Sequence, residues 1–290
     1  MNDIPDDTKP LAWITGAGGL IGSHIARAAA VYAPEWRMRA LTRTDFDLVD
    51  FREVQRHYEA DPPGLLIHCA AVSDPVACEA QPAQTRLVNR EATFFLSGLA
   101  QDIPMIFFSS DLVFDGKHGG YTEVDEPSPL SVYARSKAEA EALVLANPLH
   151  TTVRTSLTAG KSPSGNRGIE EHLRLRWAKG ETVKLFADEY RCPIPAEATA
   201  RAVWELALAK RPGLYHLAGS QRMSRLEIGR AIAERNPDWK PRIESCSLHD
   251  YDGPPRAADT SLDCAKLQQF LSFPLPGLRE WLASDAPQPA

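Results

Sequence analysis

The feature that most constrains this chain is a glycine pattern near its start. Gly16, Gly19 and Gly22 directly follow the apolar run Leu11–Thr15 and overlap the start of a segment, residues 20–31, whose apolar residues recur at helical spacing. Missing side chains allow a tight strand-to-helix turn, and the start of the helix offers backbone amides and a positive dipole to a pyrophosphate. The spacing predicts a strand, turn and helix that bind a dinucleotide. A glycine-rich turn without a ligand is the alternative.

Strands and helices then alternate along the first half of the chain. Short apolar runs typical of buried strands occur at residues 11–15, 36–41, 64–71, 105–109 and 151–155, and helical patterns lie between them at residues 20–31, 51–58, 83–100 and 132–145. This alternation is typical of right-handed βαβ units in a parallel sheet. We therefore expect an α/β protein with a doubly wound parallel sheet, the Rossmann fold.

The second half of the chain has a less regular pattern. After Ser156 come a loop rich in Gly, Ser and Pro at residues 160–168 and a helical pattern at residues 169–179. We predict a dinucleotide-binding domain over residues 1–155 and a smaller, partly interleaved substrate-binding part over residues 156–290. Some segments of the second part, such as the helical pattern at residues 196–209, are expected to return to the first domain.

Composition and charge disfavour several classes of function. The 290 residues carry a formal net charge of -6, and nucleic acid is an unexpected partner because phosphate binding needs a basic face. The five cysteines are scattered without a close CxxC pair, which predicts reduced thiols and no metal site. The start of the chain is acidic, and no apolar stretch reaches the length of a membrane span. We expect a cytoplasmic protein with no membrane partner.

The end of the second predicted strand indicates which dinucleotide binds. In this fold an acid at that position bonds the ribose 2′-hydroxyl, whereas an arginine accommodates a 2′-phosphate. Here the positions hold Thr42 and Arg43, which favours NADP(H), with NAD(H) still possible because Asp45 and Asp47 follow closely. A solvated loop charge is the alternative interpretation of Arg43.

A second chemical pattern is the pair Tyr133 and Lys137, which a helix brings to one face at positions i and i+4. A tyrosine with a pKa of about 10 is a poor acid–base group near neutral pH, and a nearby ammonium favours its phenolate. The spacing therefore fits proton transfer in a cleft. An exposed pair on a helix is the alternative, since the two residue types meet often by chance.

Together these patterns resemble the extended short-chain dehydrogenases/reductases, and within them the dTDP-4-dehydrorhamnose reductases. The resemblance covers nearly the whole chain. It is carried by residues 16–22, His68-Cys69-Ala70-Ala71, Asn89, residues 109–116 (SSDLVFDG), residues 121–123, Pro129, Tyr133, Lys137, residues 153–156 (VRTS) and residues 213–217. The string SSDLVFDG followed by YxxxK is far more specific than either part.

The resemblance implies roles for individual residues. Tyr133 would protonate the substrate carbonyl, Lys137 would bind the nicotinamide ribose and lower the tyrosine pKa, and Ser110 would hydrogen-bond the carbonyl. Residues predicted to bind the cofactor are Gly16, Gly19, Leu20, Ile21, Gly22, Arg43, Asp47, Leu48, Cys69, Ala70, Ala71, Tyr133 and Lys137. Residues predicted to bind the substrate are Ser110, Asp111, Val113, Tyr133 and Arg154.

The sequence also departs from its relatives. Nucleotide-sugar dehydratases resembling it carry an Asp-Glu pair where this chain has Asp111-Leu112, so dehydration is not expected. Ala134 and Leu157 replace a glycine and an aromatic residue of the reductases, which bears on substrate identity. Cations that could meet a diphosphate, although a solvated surface is the alternative for most of them, are Arg154, Lys161, Arg167, Arg174, Arg176 and Arg191.

These observations lead to one expected function and two alternatives. The expected function is NADPH-dependent reduction of a 4-keto nucleotide sugar, with hydride from the cofactor and a proton from Tyr133. The alternatives are a nucleotide-sugar epimerase that retains its cofactor and a non-catalytic NADP-binding regulatory subunit. The expected partner is the nucleotide-sugar substrate, and a homodimer is possible.

Overall fold

A computed structural model describes residues 8–284 of the chain. Its strands are β1 (Leu11–Thr15), β2 (Arg37–Leu41), β3 (Leu65–His68), β4 (Met105–Ser110), β5 (Thr151–Thr155), β6 (Thr158–Ala159), β7 (Val183–Phe186), β8 (Tyr190–Arg191), β9 (Ile194–Pro195), β10 (Gly213–Leu217), β11 (Met223–Ser224) and β12 (Ile243–Cys246). Its α-helices are α1 (Leu20–Tyr32), α2 (Phe51–Ala60), α3 (Pro75–Ala80), α4 (Pro82–Arg86), α5 (Ala92–Leu99), α6 (Val132–Leu145), α7 (Ile169–Ala178), α8 (Ala196–Leu208), α9 (Arg225–Arg235), α10 (Ala265–Gln268) and α11 (Leu278–Ala283).

The centre of the fold is a sheet of six parallel strands in the order β10, β5, β4, β3, β1, β2. The chain moves from β1 outward to β2 and then crosses back to β3, so the order of strands reverses beside β1. In open α/β sheets ligands bind at such a reversal, outside the carboxyl ends of the strands. The predicted fold class, a doubly wound parallel sheet of the Rossmann type, is confirmed.

Helices cover both faces of this sheet because its strands are apolar on both sides. Every residue of β1 is buried. Ala12 and Ile14 face a cluster that includes side chains of α1 and α8, whereas Leu11 and Trp13 face a cluster that includes side chains of α2, α5 and α6. The carboxyl ends of the strands are therefore held between two packed layers.

Segments from the second half of the chain take part in the same sheet. β10 pairs with β5 at the edge, and α8 packs beside α1 in the first cluster. A further apolar cluster, separate from the two beside the central sheet, is formed around α7, β7, α9 and α11. Residues after position 156 thus contribute both to the central sheet and to a separate smaller core, and the division at residues 155 and 156 stays a prediction.

Two predicted elements differ from the observed ones. The third strand ends at His68, because residues 69–72 leave the sheet as a loop. The helix expected at residues 83–100 is divided into α4, a π-helical turn over Leu87–Glu91, and α5. π-Turns within helices are frequent at functional sites.

Trp204 provides a test of how far α8 belongs to the central core. Its side chain is fully buried, and its ring nitrogen donates to the carbonyl of Ile25 at 2.9 Å. We expect Trp204→Ala to lower the free energy of unfolding by about 3–5 kcal/mol, because the cavity lies between α8 and α1. Urea denaturation would measure this change. Leu208→Ala, on the same helix but 46% exposed, should change it by about 0.5 kcal/mol or less; equal losses would contradict the assignment.

Candidate active site

The glycine turn packs tightly against the end of β3. Gly16 has a φ of +70°, and a Cβ added there would lie 2.7 Å from the backbone nitrogen of Ala70. A Cβ added at Gly22 would lie 2.5 Å from the carbonyl oxygen of Gly16. Neither position can hold a side chain without moving the backbone. The turn and the residues after β3 therefore form one close-fitting edge.

The start of α1 presents backbone to this edge. Gly19 is the N-cap residue and provides no side-chain cap, and the first turn of the helix contains no acidic residue. The side chain of Leu20 is buried, and that of Ile21 packs partly against the core. Any contact of Leu20 and Ile21 with a dinucleotide would therefore be made by their amides, which suits a pyrophosphate at a helix start.

The residues after β2 are arranged around Asp45. The carboxylate of Asp45 accepts hydrogen bonds from the amide and the hydroxyl of Thr42, both at 2.8 Å. Arg43 is exposed beside them. Asp47 is also exposed and accepts from the amide of Val49 at 3.1 Å, whereas Leu48 packs partly against the core. The carboxylate of Asp45 is thus bonded within its own loop, and Arg43 is the exposed cation at this strand end.

His68 fastens the end of β3 to its neighbours. Its Nδ1 lies 2.7 Å from the hydroxyl of Thr15, and its Nε2 lies 3.0 Å from the hydroxyl of Thr93. Since Thr93 already donates to the carbonyl of Asn89, the ring must donate from Nε2 and accept at Nδ1. Burial lowers the pKa of His68 to about 3. The neutral ring therefore holds the strand ends that carry the glycine turn and residues 69–71.

Asn89, in the π-helical turn, connects the loop after β3 with α6. Its side-chain oxygen accepts from the amide of Val72 at 2.8 Å, and its nitrogen donates to the carbonyl of Val72 and to the hydroxyl of Ser136, each at 3.0 Å. Ser136 in turn donates to the carbonyl of Tyr133. This clamp positions Cys69, Ala70 and Ala71 relative to the helix that carries the Tyr–Lys pair.

Lys137 is a buried cation on α6. Its side chain is almost completely covered, and its ammonium lies 4.1 Å above the ring of Phe107 in β4. Burial lowers the pKa of Lys137 to about 7, although the carboxylate of Glu141 acts in the opposite direction. Lys137 is therefore held where the loop after β3 meets α6, and it titrates near neutral pH.

Tyr133 and Ser110 meet at the end of β4. Burial raises the pKa of Tyr133, and the hydroxyl of Ser110 is the largest influence that lowers it. The net shift is opposite to the lowering expected from Lys137, because desolvation outweighs the effects of neighbouring groups. The phenol consequently keeps its proton at neutral pH. The structure thus brings Ser110, Tyr133 and Lys137 to one edge, next to Cys69, Ala70 and Ala71.

Three residues predicted to bind the substrate have other positions. Arg154 is buried and forms a bidentate ion pair with Glu141, at 2.8 Å and 3.0 Å. Val113 is fully buried in an apolar cluster. Asp111 is buried and accepts from the hydroxyls of Ser110, Ser156 and Thr260. The Arg154 guanidinium, the Val113 side chain and the Asp111 carboxylate thus face partners within the chain, and their contacts with a substrate stay predictions.

A basic pocket lies in the second half of the chain, and sequence reasoning identified only one of its cations, Arg176. The pocket is bounded by α7, β7 and the start of α9, and its polar and aromatic lining consists of His172, Arg176, Lys184, Phe186, Arg225 and Arg256. Three guanidinium groups, those of Arg191, Arg225 and Arg256, are close enough to the carboxylates of Glu189 and Asp111 to influence one another. These five side chains together carry one more positive than negative charge, which favours binding of an anion. The cations of the pocket come from separate segments of the chain, so local spacing in the sequence does not reveal it.

The chain is similar to known proteins over most of its length. The family model of the RmlD substrate binding domain matches residues 12–286. Over 288 residues the chain is 31% identical to a probable low-salt glycan biosynthesis reductase of Haloferax volcanii, covering 94% of this chain and 96% of the relative. It is 32% identical to a dTDP-4-dehydrorhamnose reductase of Mycobacterium tuberculosis, covering 92% and 88%. It is 28% identical to methionine adenosyltransferase 2 subunit beta of Rattus norvegicus, covering 88% and 80%.

A solved structure shares the fold. A dTDP-4-dehydrorhamnose reductase from Bacillus anthracis in complex with NADP superposes with a TM-score of 0.85 at 21% identity, covering 95% of this chain and 98% of that one. At this identity the likeness concerns the fold alone. In the part of the chain that the structure describes, no helix is long and apolar enough to cross a membrane, and no cluster of His, Cys, Asp or Glu side chains fits a metal ion.

Arg43 generates a prediction about cofactor choice. Because Asp45 is bonded to Thr42 and Arg43 is exposed at the strand end, the Arg43 guanidinium is available to pair with a 2′-phosphate. We expect NADPH to bind more tightly than NADH, and Arg43→Ala to weaken NADPH on the order of tenfold with little change for NADH. Calorimetric titration measures both affinities. Arg56→Ala, an exposed arginine on α2, is the matched control. Equal binding of both dinucleotides by the unmodified protein would refute the assignment.

Lys137 generates a prediction about pH. Its pKa, lowered to about 7 by burial, means that the ammonium is present below pH 7 and is lost as the pH rises through that value. If the ammonium binds the dinucleotide, binding takes up a proton above pH 7, and affinity falls by up to about tenfold per pH unit. Titrations from pH 6 to pH 9 measure this slope. Lys137→Met should bind weakly with a flat profile, whereas Lys179→Met, an exposed lysine after α7, should keep the slope. A flat profile in the unmodified protein would contradict the role.

Proposed function

This chain belongs to the RmlD substrate-binding-domain family, and from that premise we propose that it uses NADPH to reduce a keto group on a nucleotide-linked sugar. More specifically, the substrate is a 4-keto sugar joined to a nucleoside diphosphate, the class named for the Mycobacterium tuberculosis relative. The name of the Haloferax volcanii relative, a glycan biosynthesis reductase, supports the same type of reaction.

The meeting of Ser110, Tyr133 and Lys137 beside the glycine turn carries this proposal. Gly16 approaches Ala70 closely, and Asn89 bonds the loop after β3 to Ser136 on α6. The same helix carries Tyr133 and Lys137, and the Ser110 hydroxyl opposes the rise of the Tyr133 pKa. The turn that fits a pyrophosphate and the groups that fit a carbonyl therefore belong to one continuous edge. A nicotinamide dinucleotide, when bound there, supplies the hydride.

Tyr133 is the proposed proton donor. A carbonyl that accepts a hydride becomes an alkoxide, which needs a proton from a positioned acid. Because burial raises the pKa of Tyr133, the phenol is protonated at neutral pH and ready to donate. The Ser110 hydroxyl, whose hydrogen is directed to Asp111 in this structure, would turn to donate to the same oxygen and stabilise its developing charge. Lys137 is the proposed ligand of the nicotinamide ribose.

The basic pocket is the proposed site for the diphosphate end of the substrate. Arg225 and Arg256 line it together with Arg176 and Lys184, and guanidinium groups bind phosphates through paired hydrogen bonds. Phe186 and Tyr251 meet edge to face at 5.4 Å beside Arg256, an apolar wall next to the charges. Such a pocket favours a ligand with an anionic part and a flat ring.

A second candidate is a non-catalytic NADP-binding subunit. It is favoured by the 28% identity to methionine adenosyltransferase 2 subunit beta. The complete set of Ser110, Tyr133 and Lys137 favours an enzyme instead. Turnover of NADPH separates the two, since a purely regulatory chain would bind the dinucleotide without oxidising it in the presence of any nucleotide sugar.

Removal of the Tyr133 hydroxyl tests the proposed acid. Tyr133→Phe deletes one oxygen and little volume, so we expect a loss in rate on the order of 100-fold or more with cofactor affinity nearly unchanged. Single-turnover oxidation of NADPH with a 4-keto nucleotide sugar that the unmodified protein reduces is the measurement. Ser110→Ala should also lower the rate while NADPH still binds. Tyr58→Phe, which removes a phenol remote from this edge, is the control; full activity of Tyr133→Phe would exclude Tyr133 as the acid.

A further inference from the structure

A chain of buried charges connects the basic pocket with Ser110. Arg256, at the pocket, donates to Glu189 at 2.7 Å and 3.1 Å. Glu189 also pairs with Arg191 at 3.1 Å, and Arg191 lies 3.7 Å from the carboxylate of Asp111. Asp111 accepts a hydrogen bond from Ser110 at 3.2 Å. The contacts are continuous from one site to the other.

The inner members of this chain are shielded from solvent. Glu189 and Asp111 are 1% and 3% exposed, and Arg191 is 4% exposed. Arg256 is the exposed end, with about a third of its side chain accessible. Charges in such an environment interact far more strongly than charges at a surface. Binding of an anion to Arg256 would therefore change the interaction between Glu189 and Arg191, because little water is present to screen these charges.

Asp111 controls how the Ser110 hydroxyl points. That hydroxyl has one hydrogen, which is directed to the Oδ1 of Asp111, while its oxygen accepts from the amide of Leu112 at 3.1 Å. The Oδ2 of Asp111 is fixed by Ser156 at 2.7 Å and by Thr260 at 3.1 Å. A carboxylate held at both oxygens sets the rotation of Ser110, and with it the lone pair that Ser110 presents to Tyr133.

We propose that Asp111 is a positioning residue for Ser110, and that Arg191 and Glu189 couple Asp111 to the basic pocket. A diphosphate bound at Arg256 thereby changes the orientation of the Ser110 hydroxyl and its interaction with Tyr133. This inference rests on the proposed function, because it uses the same pocket and the same hydroxyl pair. It adds a physical connection between binding of the distant anionic end of a substrate and the reacting groups.

A kinetic cycle tests the coupling. Glu189 belongs neither to the edge that holds Ser110 and Tyr133 nor to the glycine turn. We therefore expect Glu189→Gln to leave the affinity for NADPH unchanged and to lower kcat on the order of tenfold. In a Ser110→Ala background the same substitution should lower kcat no further, because the group through which it acts is gone. Additive losses in the double variant would overturn the inference while leaving the proposed reaction intact.

Asp188→Asn is the matched control. Asp188 is the neighbour of Glu189 in the chain, but its carboxylate is bonded to Ser247 and to the amide of Leu248 at 2.9 Å, outside the buried charges. Its variant should retain the kcat of the unmodified protein. A loss equal to that of Glu189→Gln would show a general structural effect and overturn the coupling.

A binding measurement without turnover completes the test. In protein labelled with ¹³Cζ-tyrosine, the resonance of Tyr133 is the one missing from Tyr133→Phe. Addition of dTDP, which has the nucleoside and the diphosphate but lacks the keto sugar that would reach Tyr133, should shift this resonance in the unmodified protein and in Asp188→Asn, but not in Glu189→Gln. Arg256→Gln, a change at the exposed end that does not open the core, should likewise abolish the shift at saturating dTDP.

The outcomes separate the two proposals. Binding of dTDP with no shift of the Tyr133 resonance in the unmodified protein overturns the inference alone. Failure of dTDP to bind, together with no reduction of any 4-keto nucleotide sugar, overturns the proposed function and the inference with it. A shift that persists in well-folded Glu189→Gln, with dTDP bound, shows that the buried charges do not carry the coupling and also overturns the inference.

Discussion

The close approach of Gly16 to the backbone of Ala70 is the constraint on which the site depends. A Cβ at Gly16 would lie 2.7 Å from the Ala70 nitrogen, so the two loops fit together only because one has no side chain. Once they meet, Asn89 bonds the loop after β3 to α6, and the start of α1 faces the same edge. The helix start that we propose for the pyrophosphate and the proposed acid–base groups thereby belong to one edge of the fold.

The polar groups of this edge are held in an interior that disfavours their charged forms. His68 is kept neutral between two hydroxyls, burial lowers the pKa of Lys137, and burial raises the pKa of Tyr133. Each shift has a structural cause, because the sheet and α6 exclude water from the space around these groups. The same exclusion makes a protonated phenol and a titratable ammonium available at neutral pH, which a solvated pair would not provide.

The second half of the chain is joined to this edge in two ways. First, β10 and α8 come from the second half of the chain and return to the central sheet, where Trp204 packs against α1. Buried ion pairs then connect the smaller core to the end of β4, through Glu189, Arg191 and Asp111. Buried ion pairs are poor sources of stability because desolvation offsets their attraction. Their presence between two sites is better explained by the fixed geometry that they impose.

Local sequence determined the parts of this protein that depend on short spacing. The strand, glycine turn and helix follow from residues 11–31, and the shared face of Tyr133 and Lys137 follows from their separation by four positions. The parallel sheet follows from alternating strands and helices, since crossover geometry leaves few arrangements. These features need only neighbouring residues or a regular period, so the amino-acid sequence by itself is enough to predict them.

Tertiary structure decided which charged residues line a pocket and which pair with each other. Arg154 was expected at the substrate, yet Glu141 pairs with it in the interior, and Asp111 is occupied by Ser156 and Thr260, which are distant in sequence. The basic pocket likewise gathers Arg176, Arg225 and Arg256 from separate segments. The direction of the Tyr133 pKa shift depended on burial, which spacing does not encode. Partners separated by tens of residues are selected by packing, and desolvation is a property of the folded surroundings.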